Sequence, residues 1–173
     1  MTTLQLHVFN GLYLALLIVV SYLTRATARR IAGALAGGVA LGVLMLGAVA
    51  LGEERGWWHF VIAWEPYFLM LLLLDGVISC AAILLVTWRV ARRFGWRGLA
   101  VVVVILAIIG PPRDYAYMKT FPEWGAYGPG IAPFVAVAVI YALLVPVGQS
   151  VMRLVAGPAR ADPLARRAWE VAK

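Results

Sequence analysis

Residues 66–88 read PYFLMLLLLDGVISCAAILLVTW, 23 residues that contain one charged side chain, Asp75, and end against Arg89, Arg92 and Arg93. A helix of this length reaches roughly 35 Å at about 1.5 Å per residue, enough to cross a hydrocarbon core of roughly 30 Å. An open strand would leave its backbone polar groups unsatisfied in lipid, so the stretch is expected to be a membrane-spanning helix.

The rest of the 173-residue chain repeats the pattern: 64% of residues are hydrophobic, 13% are charged and the mean hydropathy is +0.90. Too few polar groups exist to cover a water-exposed surface. Further apolar segments run over about 7–24, 31–52, 96–110 and 131–155, each bounded by charges, prolines or glycines. The expected fold is therefore all-α, a polytopic bundle of five transmembrane spans within residues 1–157, followed by a polar tail over 158–173. The segment 96–110 is short, roughly 22 Å, and Pro111-Pro112 is expected to stop it. The chain carries no Lys or Arg before its first apolar run, so that run is expected to be a retained span rather than a cleaved signal.

The net charge of +7 does not form a nucleic-acid patch, because the basic residues punctuate apolar runs. With five spans and the N-terminus outside, twelve Lys and Arg residues fall on the cytoplasmic side: Arg25, Arg29, Arg30, Arg89, Arg92, Arg93, Arg97, Arg153, Arg160, Arg166, Arg167 and Lys173. Arg55, Arg113 and Lys119 are the three left outside. This bias predicts an outer N-terminus, a cytoplasmic C-terminus and a bacterial inner membrane as host. Two outer segments, about 53–65 and 111–130, are rich in aromatic residues and are expected either to form an interfacial belt or to fold together as a lid.

Asp75 is the most informative residue, expected about 13 Å below the outer end of its helix. A carboxyl at that depth costs at least about 2.5 kcal/mol unless it faces the bundle interior, finds a partner or stays protonated. Gly76 and Ser79 share its side of the helix. Tyr141 on the last span is expected at similar depth, and Asn10 lies inside the first span. Glu65 precedes Pro66 at the outer helix start, where the helix dipole favours a carboxylate. Asp114 is expected either to cap a short interfacial helix or to flank an entrance with Glu65 and His59.

These positions define a candidate outward-facing polar pocket for a lipophilic small molecule. Asp75, Glu65 and Asp114 are the acid–base candidates for an isomerisation or cyclisation; Asn10, His59, Tyr141, Trp64 and Tyr115 are the ligand-contacting candidates. A carboxylic acid held neutral among apolar walls suits such proton transfers. No Gly-rich phosphate loop, G-x-S-x-G elbow or Cys-His cluster is present, so no cofactor and no metal are expected. The alternative is a non-catalytic subunit or assembly factor of a membrane complex. Gly33, Gly37, Gly38 and Gly42 give the second span a small-xxx-small face, which suits packing within the chain, a homo-oligomer or a membrane partner. Membrane lipid is the remaining expected partner.

The stretch Trp57-Trp58-His59-Phe60-Val61-Ile62 with Glu65 resembles the aromatic-His-Glu helix of membrane sterol isomerases of the emopamil-binding type. It covers fewer than ten residues, and six positions separate His59 from Glu65 rather than one helical turn. The activity and site residues of that family therefore do not carry over.

Overall fold

A computed structural model of the chain describes residues 2–63 and 65–159. Trp64, the polar tail from Arg160 onward and the surface helix expected over 163–172 lie outside the described residues. The element order is α1 (Thr3–Thr24), α2 (Ala28–Glu54), β1 (Trp58–Phe60), α3 (Pro66–Thr120), β2 (Gly125–Tyr127) and α4 (Ala132–Ala156). All four helices are long and apolar enough to cross a membrane.

Local chemistry sets the ends. Thr2 and Gln5 form a reciprocal capping box at the start of α1, with bonds of 3.2 and 2.8 Å. Arg25 closes α1 in the left-handed conformation (φ 56°), and Thr27 already caps α2 by accepting from the Arg30 amide at 3.3 Å. The α1–α2 connection is thus about three residues long, so the two helices run antiparallel.

Helix α3 is broken at Gly95, whose φ of 65° and ψ of −151° are open to glycine and hostile to residues with a Cβ. The arms 66–94 and 96–120 fold back on each other. Leu72 and Met118 line one cavity, although a straight helix would hold them roughly 69 Å apart. The second arm does not stop at Gly110 as the sequence suggested. It runs through Pro111 and Pro112 to Thr120, about 25 residues or roughly 37 Å. Proline removes an N–H and crowds the preceding turn, but its own φ is helical, so a helix supported by neighbours can continue. Arg113, Asp114, Tyr115 and Lys119 are therefore helical residues, not loop residues, and Asp114 caps no helix.

Helix α2 packs against α3 and α4, and α1 packs against α3. The glycines of α2 make this possible. A Cβ at Gly33 would meet Ala156 and Met152 at 2.9–3.4 Å, and one at Gly37 would meet Leu84 and Gly148. At Gly38 it would strike the Val77 carbonyl. The Gly33–Gly42 face is thus filled inside the chain, with Leu73 and Val77 covering Gly42. Leu41, Leu84, Leu85, Trp88, Val145 and Met152 are fully buried at this junction. Polar groups lock it: the Gln149 amide donates to the Leu84 carbonyl (2.9 Å) and Thr87 Oγ1 (2.7 Å). The buried Arg30 guanidinium donates to the carbonyls of Ala156 and Gly157 while lying 5.1 Å over the Trp88 ring.

The two aromatic-rich segments do fold together. β1 and β2 pair antiparallel, Trp58 opposite Tyr127 and Phe60 opposite Gly125. The Trp58 indole donates to the Val49 carbonyl (3.1 Å), and Glu53 accepts from the Phe60 amide (2.9 Å), which ties the ribbon to the end of α2. The stretch resembling a sterol isomerase helix is therefore partly a strand.

Because the Val77 carbonyl is rigid backbone, Gly38→Ala is expected to cost ~1–3 kcal/mol, as overpacked cores do. A Cβ added at Gly47 would meet nothing within 4 Å, so Gly47→Ala is expected to be neutral or slightly stabilising. Thermal unfolding of both variants in one detergent checks this; equal melting would refute the close approach.

Candidate functional site

A cavity of about 530 Å³ lies between α1, α2 and the two arms of α3, with Tyr141 of α4 at one end. Tyr13, Leu16 and Val20 of α1 form one wall, and Gly42, Met45 and Leu46 of α2 form another. Leu16 and Val86 both line it and are nearly half exposed, so it reaches the bundle surface between helices. Val49 and Leu72 also line a smaller apolar cavity of about 180 Å³ that extends beneath the ribbon.

Asp75 lines the main cavity, and its Oδ1 atom is buried without a hydrogen-bond partner. The neighbouring Ser79 hydroxyl donates to the Gly76 carbonyl (3.2 Å) rather than to the carboxyl. Pairing with an adjacent helix, one of the arrangements expected for Asp75, is absent among the described residues. Asp75 borders the cavity, while its Oδ1 atom is packed out of reach of water.

Opposite stands a cluster that only the continued helix brings into being. Gly110, Arg113 and Asp114 share one face of α3, as i, i+3 and i+4 positions do. The Tyr141 ring lies directly on Gly110, where any Cβ would collide with it. Its hydroxyl thereby meets both Asp114 oxygens, at 3.0 and 3.1 Å. Arg113 donates to Asp114 Oδ1 at 2.8 and 3.1 Å and makes a short bond to the Tyr141 hydroxyl. Arg113 and Tyr141 also line the main cavity, whereas Asp114 lines a small neighbouring cavity of about 70 Å³ with Tyr127. Burial and the Asp114 carboxylate push the Tyr127 phenol above its ordinary range, with Arg113 opposing, so Tyr127 stays neutral.

The other expected residues are placed elsewhere. Glu65 is exposed at the start of α3 and its carboxylate makes no capping bond. The His59 side chain is 80% exposed on the ribbon, 3.7 Å from Glu53. Asn10 fastens α1 to α3, donating to the carbonyls of Leu6 (2.9 Å) and Leu71 (3.1 Å). Tyr115 packs against Tyr127 and Phe134, with ring centroids 6.0 and 5.2 Å away. Tyr13 and Arg113 are the cavity-lining polar residues that sequence reading missed. The two prolines place Arg113 in a loop when read locally, and Tyr13 sits in an unremarkable apolar run. Among the described residues no group of three or more potential metal ligands converges.

Comparisons with protein-family models, with curated proteins and with solved structures returned no match. The reading of this site therefore rests on its geometry.

Tyr141→Phe removes the one phenol proton shared between the two Asp114 oxygens and an acceptor for Arg113, and is expected to destabilise by ~1–3 kcal/mol. Asp114→Asn is expected to cost at least as much, since it leaves the Arg113 guanidinium without its counter-charge. Denaturation of both variants in the same micelle is the check, and wild-type stability in both would contradict the cluster.

Proposed function

We propose that this integral membrane protein binds a lipophilic small molecule carrying one neutral, hydrogen-bond-donating head, taken up laterally from the bilayer into the cavity around Asp75. The observation that carries this reading is the Asp75 carboxyl, which borders a mostly apolar cavity of about 530 Å³ and has one oxygen buried with no hydrogen-bond partner. Pockets for small ligands have this character, with apolar walls and a few convergent polar groups. Asp75 accepts from the head group, while Tyr13 offers a hydroxyl from another wall. The exposed Leu16 and Val86 mark the side from which an apolar molecule arrives without crossing water.

Binding is favoured over a two-carboxylate isomerisation or cyclisation. Asp75 suits the acid of such a reaction, but Glu65 lies outside the cavity and Asp114 is held by Arg113 and Tyr141. The subunit reading loses its main support because the glycine face of α2 is filled within the chain.

The proposed arrangement in the membrane is five crossings, with α3 contributing two through its Gly95 break and the ribbon on the outer side. The clustering of Arg29, Arg30 and Arg92 around the end of α4 supports it, as does the roughly 37 Å length of the second α3 arm.

Native mass spectrometry of gently solubilised protein, with extraction of co-purifying small molecules, tests the binding. A defined lipophile is expected on the wild type and at least about tenfold less on Asp75→Leu at unchanged melting temperature, the worth of one lost charge-assisted hydrogen bond. The same adduct on both proteins, or bulk phospholipid alone, would sink the reading. For the arrangement, the single-cysteine variants Arg55→Cys and Trp96→Cys in a Cys80→Ala background are treated with a membrane-impermeant thiol reagent on intact cells. Labelling is expected at position 55 alone; equal labelling at both sites would overturn five crossings.

A further inference from the structure

The end of the bundle opposite the ribbon carries a second, independent site. Arg89, Arg92 and Arg93 occupy one face of the last turn of the first α3 arm, just before the break at Gly95. Together with Val90 and Phe94 they line a groove of about 540 Å³. Arg93 lies 5.2 Å over the Phe94 ring, and Arg97 lies 6.0 Å over Trp96. Phe94 and Trp96 are 59% and 75% exposed.

Three facts about this corner bear on its occupant. Arg89 is half-buried yet has no carboxylate partner among the described residues, whose acidic side chains, Glu53, Glu54, Glu65, Asp75, Asp114 and Glu123, line no part of the groove. Arg92 is engaged by the Ala159 carbonyl at 3.5 Å, among other contacts, so Arg89 and Arg93 are the donors that face the groove. The remaining walls, Val90 and Phe94, are apolar.

We propose that this groove binds the phosphate of an anionic phospholipid. Two guanidinium forks match phosphate oxygens geometrically and retain their charge at any physiological pH. A lipid satisfies the whole groove, its phosphate on Arg89 and Arg93 and its glycerol and upper acyl carbons on Val90 and Phe94. A free phosphate ion would use only the arginines. Exposed aromatic side chains at a helix corner suit the depth at which headgroups lie. Basic residues at a membrane surface attract anionic lipid by roughly a factor of five each, so a pair that acts on one headgroup amounts to about tenfold to thirtyfold.

The full chain, in a neutral detergent, is titrated with phosphatidylglycerol, phosphatidylcholine and inorganic phosphate, and binding is read by native mass spectrometry. Saturable one-to-one binding of phosphatidylglycerol is expected, weak binding of phosphatidylcholine, and a tenfold to thirtyfold loss for the pair Arg89→Gln and Arg93→Gln. The charge-matched pair Arg97→Gln and Arg153→Gln is expected to keep wild-type binding, which separates a site from net charge. If the first pair lowers the melting temperature in detergent alone, Arg93→Gln by itself, at an exposed position, is expected to give at least about a threefold loss. Equal losses in both pairs, no loss in the first pair or its single variant, or displacement of the lipid by equimolar inorganic phosphate each overturn the proposal.

Discussion

Everything in this bundle hangs on how closely α2 approaches its neighbours. Lipid offers helices little hydrophobic reason to associate, because the acyl chains around them are as apolar as leucine. What remains is contact, and contact is greatest where side chains are absent. At Gly38 the α2 backbone rests on the Val77 carbonyl, and at Gly37 it meets Gly148 of α4. Only at that separation do the polar locks reach, Gln149 to Leu84 and Thr87, and Arg30 to the last carbonyls of α4. Those carbonyls have no partner inside their own helix, so a buried guanidinium there both satisfies them and complements the dipole.

The cavity is the converse of the same rule. α1 has no comparable run of small residues facing α2: Leu16 and Val20 stand opposite Met45 and Leu46. α1 is fastened to α3 instead, by Asn10 on the Leu71 carbonyl and by the Tyr67 hydroxyl on His7 at 3.0 Å. Held on one side and spaced on the other, α1 leaves a cleft whose floor is the α3 segment containing Asp75 and Gly76.

Much of this was legible in the sequence because it depends on composition and period. Apolar runs marked the helices, the glycines of 33–42 marked a contact face, and the depth of Asp75 marked it as inward. The second α3 arm was misjudged because Pro111-Pro112 is a strong local stop signal, whereas the support that overrides it is tertiary. Tyr141 lies on Gly110, and that contact joins residues about thirty apart in the chain. The Arg113–Asp114–Tyr141 cluster was lost with it, since helical phase alone aligns Gly110, Arg113 and Asp114. The ribbon was invisible for a different reason. Strands of three residues carry no readable alternation, and their pairing is set by the Trp58 and Glu53 bonds to α2.

The contrast between the two carboxyls on α3 bears most directly on function. Asp114 is surrounded by what a carboxylate in apolar surroundings requires: a guanidinium and a phenol. The oxygens of Asp114 and the donors of Arg113 and Tyr141 satisfy one another, and such a cluster is explained by structure alone. Asp75 has none of this. One of its oxygens is buried and accepts no bond, the Ser79 hydroxyl turns to a backbone carbonyl, and the residue borders a cavity wide enough for many atoms. A leucine at that position would cost the fold nothing in unsatisfied polarity, and an asparagine would remove the ionisable group. In the proposed function, the donor that Asp75 lacks within the fold comes from the molecule bound in the cavity.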